Sequence, residues 1–271
     1  MRMLNKKALW FALYGILITV VFLYLLFPAD IVKNKLENAL NSSGFILKTE
    51  SLRSSFPFGV KMKNLSVSSQ FSTHAYFRAN LFDLQFNPIS FFQKKQYISM
   101  SGKAYGGIFS GRFGLASFSK IYPPEEGNFR IQDIDLGQYS FIKTLMGREI
   151  TGRASGNWTF NKATDGYSSG TIDLILNKGT FALVEPFIGL SRIDFNRCDI
   201  KASIKNGNLT LEKMEISGPQ LDCSFNGDIT LADDFKNSQL NLSGEIVIAE
   251  KKVKMKINIG GTLANPLLRY M

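Results

Sequence analysis

The side chains able to perform chemistry are few and scattered along the chain. His74 is the only histidine, and no carboxylate nearby in the sequence is placed to orient it as a general base. The acidic pairs Glu125–Glu126 and Asp233–Asp234 consist of adjacent residues, which point to opposite faces of a strand and so rarely form an acid/base dyad. The sequence therefore predicts a protein that is not an enzyme and has no metal or cofactor site.

The glycine-rich segment Ser101–Gly114 looks at first like a phosphate-binding loop. It lacks the GKS or GKT ending of such loops, and no helical pattern follows it. Glycines at bulges and bends of curved strands explain the segment better. The segment therefore predicts β-structure rather than a nucleotide site.

Residues 8–27 form a long apolar run that contains no charged side chain. As a helix they would reach about 30 Å, the thickness of a bilayer's hydrocarbon core. Arg2, Lys6 and Lys7 precede the run, so the positive-inside rule places residues 1–7 in the cytoplasm and the rest of the chain outside. The length of the run favours an uncleaved, single-pass signal anchor over a cleaved signal peptide.

Residues 28–44 predict a short amphipathic helix directly after this anchor. The apolar residues of its stripe are Ile31, Val32, Leu36, Ala39 and Leu40. Asp30 suits the start of a helix and Gly44 suits its end. The helix is expected either to lie on the bilayer or to close one end of the domain that follows.

From Phe45 onward, apolar and polar residues alternate with a period of two, and turn residues recur about every 8–12 positions. The alternation is clearest towards the C-terminus, and Asn206–Gly207 is a favoured two-residue hairpin turn. Residues 45–271 therefore predict a mainly β domain, a long, curved, glycine-rich antiparallel sheet with one apolar face. It is expected to be an open groove or a sandwich-like fold, with a soft boundary near residues 122–124.

Cys198 and Cys223 alternate with apolar neighbours, so both should face the apolar side of the sheet. In a simple meander one strand separates them, which puts their Cα atoms about 9.5 Å apart, beyond the roughly 7 Å limit for a disulfide. We therefore predict two free, buried thiols, although the exported side of a membrane permits disulfides.

The chain carries 32 Lys and Arg against 22 Asp and Glu, a formal net charge of +10. The basic residues are dispersed, with no run longer than a pair. A nucleic-acid binder would cluster them on one face with stacking aromatics, so nucleic acid is not an expected partner. The excess instead suits solvated strand faces and an attraction to anionic lipid headgroups.

Two short motifs, Phe56–Gly59 (FPFG) and Gly261–Pro266 (GTLANP), accompany this order of anchor, helix and glycine-rich strands. Over nearly its whole length the chain resembles the type II secretion protein N (GspN) group of delta-proteobacteria and spirochaetes, within the broader AsmA-like family. The resemblance implies a Gram-negative inner-membrane protein with a cytoplasmic N-terminus and a periplasmic β domain. Its AsmA-like side implies a long curved sheet whose concave face holds lipid acyl chains.

Two non-enzymatic functions are compatible with these features. The first and preferred one is a component or accessory of the type II secretion system, bound to other secretion proteins. The second is a lipid-binding or transfer module that holds phospholipid acyl chains on its apolar face. Its lipid-facing groove would contain Ile204, Leu211, Phe225, Ile229, Ile248 and Ile257. An open groove would favour lipid, whereas a second sheet about 10 Å away would make a sandwich without a ligand.

Overall fold

Two helices open the chain, and nearly all of the regular structure after them is antiparallel strand. The computed structural model describes residues 6–42, 44–69, 75–116, 124–162, 168–187, 189–232, 237–248 and 253–270. The helices are α1 (Lys6–Leu25), α2 (Ala29–Ser42) and the short α3 (Ser140–Met146), with 3₁₀ turns at Pro88–Phe92 and Leu136–Gln138. The strands are β1 (Phe45–Lys48), β2 (Ser51–Ser55), β3 (Gly59–Ser69), β4 (Ala75–Phe86), β5 (Gln96–Ala104), β6 (Gly107–Leu115), β7 (Glu126–Asp135), β8 (Arg153–Lys162), β9 (Ser168–Phe187), β10 (Leu190–Lys205), β11 (Asn208–Ser217), β12 (Leu221–Thr230), β13 (Gln239–Ile248), β14 (Val253–Gly261) and β15 (Pro266–Tyr270).

The helix α1 covers most of the apolar run of the sequence. Among the residues that the structure describes, no helix meets the length and hydropathy expected of a membrane span. The anchor over residues 8–27 and the cytoplasmic tip over residues 1–7 therefore stay predictions from the sequence.

All fifteen described strands belong to one antiparallel sheet. From β3 to β15 each strand pairs with the next strand of the chain, so the order in space is the order in sequence. The strands β1 and β2 both pair with β3 and form one interrupted edge. The predicted mainly β fold with an antiparallel sheet is confirmed. Of the two arrangements left open by the sequence, the described strands form the open sheet and no sandwich.

The sheet continues across the soft boundary expected near residues 122–124. β6 and β7 lie on either side of that segment and pair directly, with Gly114 opposite Glu126. Residues 117–123 themselves lie outside the described part of the chain.

The amphipathic helix predicted over residues 28–44 corresponds to α2. Val32, Leu36 and Leu40, spaced four residues apart, pack against a buried cluster that includes Leu47 and Leu52 of the sheet's first edge. Ile31, another predicted member of the stripe, is instead 59% exposed. Of the two positions expected for the helix, the structure shows the one that closes an end of the β domain.

The predicted hairpin at Asn206–Gly207 is confirmed. Both residues have positive φ angles, 55° and 79°, as the two-residue turns that match strand twist require. Lys205 and Asn208 pair on either side of the turn and begin the β10–β11 ladder.

Candidate functional site

Residues in register across the sheet form three rows that are apolar or glycine at every position, and we call these rows the apolar track. The central row is Met62, Phe82, Gly102, Phe109, Ile131, Gly156, Leu174, Ile200, Met214, Phe225, Gly244, Ile257 and Tyr270. A second row runs from Val60 through Phe129 to Leu268, and a third runs from Phe86 to Leu240. With strands spaced about 4.8 Å apart, the central row is roughly 60 Å long.

The opposite face of the same strands is polar. One row there contains Lys61, Asp83, Ser101, Ser110, Arg130, Asn157, Asp173, Lys201 and Lys213. Ion pairs such as Lys213 with Glu215, 2.8 Å apart, and Lys254 with Glu245, 3.1 Å apart, lie in solvent. The two faces therefore differ sharply, and the continuous apolar rows lie on one of them, whereas the other carries single apolar residues such as Ile108 and Ile175 among polar ones.

Five glycines of the apolar face are covered by aromatic rings from neighbouring positions. The rings that would contact an added Cβ belong to Phe109 at Gly102, Phe129 at Gly111, Phe113 at Gly127, Phe195 at Gly179 and Phe225 at Gly244. The sequence predicts bulges and bends at such glycines, but these five lie at paired positions of the ladder. They make room for flat rings, which keeps the apolar surface continuous across the sheet.

The first half of the track is mainly aromatic, and this part was missed from the sequence. Ring centroids of Phe82 and Phe109 lie 5.9 Å apart, Phe109 and Phe129 6.2 Å apart, and Phe129 and Trp158 5.7 Å apart. These spacings are ordinary for packed aromatic pairs. The sequence signal for this part was the alternation of apolar and polar residues in β7 and β8, for example at Phe129 and Ile131. Glycines such as Gly127 and Gly156 occupy apolar positions of these strands and weaken the pattern.

The six residues predicted to line a lipid groove all lie on the apolar face. Leu211, Phe225 and Ile229 pack in or against one cluster, and Phe225 also packs against the cluster that contains Ile257. Ile204 lies in register with Leu209 beside Ile229, whereas Ile248 pairs with Leu221 at the margin of the face. Leu211 and Ile257, only 5% and 0% exposed, are covered by neighbouring side chains, while the other four are half-buried and remain accessible.

Cys198 and Cys223 lie on the apolar face on either side of β11, each opposite Ile216. Both are buried and free of a disulfide. Burial raises the pKa of each thiol to about 12, and the nearby carboxylates Asp199 and Asp222 add to the effect on the pKa. Such thiols are present as the unreactive neutral form at physiological pH.

We expect the two thiols to resist a maleimide reagent at pH 8 until the protein is unfolded. An exposed thiol ionises near 9.0 and the buried ones near 12, so the unfolded state loses these protons first. The stability contributed by keeping each thiol neutral is complete below pH 9 and is lost towards pH 12, by at most about 1.4 kcal/mol per pH unit. Chemical denaturation at pH 8 and pH 10, compared with a Cys198→Ala/Cys223→Ala variant, measures this loss. A band that moves more slowly after reduction on a gel would show a disulfide and contradict the expectation.

The residues first considered for chemistry do not assemble into a catalytic site among the described residues. Glu126 accepts hydrogen bonds from Lys95, at 2.6 Å, and from the Tyr97 hydroxyl, at 2.7 Å. The Lys95 contact, followed by the Tyr97 contact, lowers the pKa of Glu126, so this carboxylate is a paired anion rather than a poised base. His74 and Asp233–Asp234 lie outside the described residues. The described part of the chain contains no group of three or more metal-ligating side chains.

The chain also contains one serine motif with the spacing of a catalytic nucleophile. The segment Gly166–Gly170 (GYSSG) has the GxSxG spacing of a nucleophile elbow. Ser168 and Ser169 lie at the start of β9, paired with Lys162 and Asn161, and a strand rather than a helix follows them. Ser168 is therefore not followed by the helix that a nucleophile elbow requires, and residues 168–170 are part of the sheet.

Arg148 brings a positive charge to the margin of the apolar face. Its guanidinium carbon lies 5.4 Å from the ring centroid of Phe181, and its Nε is buried without a hydrogen-bond partner. Phe181 pairs with Ile193, which packs against the apolar cluster around Leu221. The arrangement places a cation with unused hydrogen-bonding capacity next to a hydrophobic surface.

Comparisons of the chain with protein-family models, with curated proteins and with solved structures gave no match. The likeness to secretion protein N and to AsmA-like proteins therefore stays a prediction from short motifs.

Proposed function

We propose that this protein is a non-enzymatic lipid-binding module that holds phospholipid acyl chains along the apolar track. The observation that carries the proposal is the uninterrupted central row, which crosses every strand from β3 to β15 without one charged residue. A row roughly 60 Å long exceeds the half-thickness of a bilayer core, about 15 Å, that one acyl chain fills. Acyl chains match such a surface because they are long, flexible and uniformly apolar.

The lack of a protein cover on most of the track supports a lipid rather than a closed core. A sandwich would place a second sheet about 10 Å above the apolar face, but the described strands form a single sheet. The helix α2 covers the first strands, and Ile204, Phe225, Ile229 and Ile248 further along stay only half-buried. A long apolar surface that the fold leaves partly accessible in this way favours a binding site for an apolar ligand.

We further propose that α1 anchors the module in the inner membrane, with residues 1–7 in the cytoplasm and the β domain in the periplasm. The proposal is supported by the uncharged run over residues 8–27 and by side chains of α1 that the sheet leaves uncovered. Exposed large apolar side chains in this helix include Trp10 at 72%, Phe11 at 76% and Phe22 at 57%. Arg148 would then offer its charge to the anionic headgroup of a lipid bound at the margin of the track.

Site-specific photocrosslinking in intact cells tests the lipid proposal. A benzoylphenylalanine replaces Ile229, on the apolar face, and in a matched control it replaces Thr230, which is exposed on the polar face of the same strand. We expect a phospholipid adduct, identified by mass spectrometry, from position 229 and little or none from position 230. Equal adduct yields at the two positions would contradict lipid binding on the track.

Assembly with other secretion proteins is a second candidate function, and the outer edge of the sheet favours it. β15 pairs only with β14 among the described strands, and Leu267 and Leu268 on it are 56% and 46% exposed. An exposed edge of this kind can accept a strand from a partner. The same photoreactive residue in place of Leu267 would give a protein adduct if the chain docks in this way, whereas a lipid carrier needs no such contact.

A further inference from the structure

Three exposed apolar side chains lie in two neighbouring turns, the turn between β2 and β3 and the 3₁₀ turn that follows β4. Phe56 is 71% exposed and Phe58 is 49% exposed, and Ile89 in the neighbouring 3₁₀ turn is 68% exposed. The amide of Phe86 donates to the carbonyl of Phe58 over 2.8 Å, which brings the segment after β4 beside this turn. We call Phe56, Phe58 and Ile89 the apolar tip.

The apolar tip lies close to the end of α1. β2 contacts α2, and the Ser54 hydroxyl on the same strand donates a hydrogen bond of 3.4 Å to the carbonyl oxygen of Tyr24, in the last turn of α1. With a rise of about 3.3 Å per residue, Phe56 lies no more than about 7 Å from Ser54. The tip is therefore within reach of the membrane surface at which the proposed anchor ends.

Two exposed cations flank the apolar tip. Arg53 precedes Ser54 on β2, and Lys94 follows the 3₁₀ turn that carries Ile89. Aromatic and apolar side chains beside Lys and Arg are the composition that favours the headgroup region of a bilayer. Contact of these apolar side chains with water is unfavourable, and such exposed apolar clusters mark interaction sites.

We infer that the apolar tip inserts into the headgroup layer of the bilayer that α1 occupies, as a second attachment of the sheet to the membrane. The inference rests on the anchor in the proposed function. Two attachments fix the orientation of the sheet relative to the membrane. With α1 as the single attachment, the three residues that follow it would allow the sheet to rotate. Phe58 lies two residues before Val60, where the second row of the track begins, so this attachment brings the start of the track to the membrane surface.

Depth-dependent fluorescence quenching tests the inference on the full chain in phosphatidylcholine and phosphatidylglycerol vesicles. A Phe56→Trp variant, with Trp10→Phe and Trp158→Phe, reports on the tip. The matched control is Glu215→Trp in the same background, at an exposed position on the polar face. The Trp158→Phe variant, which keeps Trp10 alone, reports on the anchor.

We expect the Phe56→Trp variant to be quenched strongly by phospholipids brominated on their acyl chains and weakly by aqueous iodide, and the Glu215→Trp control to show the reverse. Quenching of the Phe56→Trp variant by iodide but not by brominated lipid would overturn the inference. If Trp10 is quenched by brominated lipid in that case, the anchor stands and only the tip fails. If Trp10 is not quenched, the anchor itself fails and the inference fails with it.

Discussion

Met214→Arg is expected to lower the yield of phospholipid adduct at position 229 by about tenfold or more. Met214 lies in the central row between Ile200 and Phe225, and it is half-buried. A guanidinium there has no carboxylate beside it in the row and would have to give up its hydration when an acyl chain occupies the track. Burying an unpaired charge costs several kcal/mol, and each 1.4 kcal/mol changes a binding constant tenfold.

Glu215→Arg is the control for this experiment, because it introduces the same side chain one residue away on the polar face. We expect it to leave the adduct yield near that of the parent protein. Circular dichroism and resistance to protease verify that both variants retain the sheet. A folded Met214→Arg variant with an unchanged adduct yield would exclude the track as the lipid site.

Gly227→Ala is expected to lower the free energy of unfolding by about 3 kcal/mol, the upper range for a strained backbone position. Gly227 has a φ of +138°, which side-chain-bearing residues rarely adopt, and an added Cβ would collide with the carbonyl oxygen of Asn241. Gly227 also separates Leu211 and Leu242 in register, and these buried side chains meet across it. Chemical denaturation followed by circular dichroism measures the loss.

The Gly207→Ala variant separates the effect of backbone strain on stability from the effect of a steric collision. Gly207 also has a positive φ, +79°, but nothing lies within 4 Å of the place of its Cβ. We expect a loss of about 1 kcal/mol there, from the left-handed conformation alone. Equal losses in the two variants would show that the close approach at Gly227 does not limit stability.

Local pattern was sufficient to predict the types of element and the chemical character of each strand face. The alternation in β10 to β14, the turn at Asn206–Gly207 and the helix over 28–44 all depend on interactions between residues close in sequence. The prediction that Cys198 and Cys223 lie on the apolar face, with one strand between them, also needed only the alternation and the order of the strands in the chain. Such features follow from backbone geometry with a period of two or about 3.6.

Register, by contrast, depends on pairing between strands and was decided by the tertiary structure. A slip of one residue moves every side chain of a strand to the other face. In β11, Leu211 and Met214 are three residues apart, yet a bulge between them keeps both on the apolar face. A similar shift lies between Ile131 and Ile134 in β7. The continuity of the track across these strands is therefore a property of the assembled sheet.

The sequence by itself determined an uncharged N-terminal run, an amphipathic helix and a sheet with one apolar face. Each of these features depends only on the types and spacing of residues that are close in the chain. The tertiary structure alone decided that the sheet stays open and that aromatic rings fill the places above glycines such as Gly102 and Gly244. It also decided that α2 covers the first edge and that Ser54 of β2 lies beside the end of α1. These outcomes depend on which distant residues meet, and that depends on the competition among all pairings of the chain.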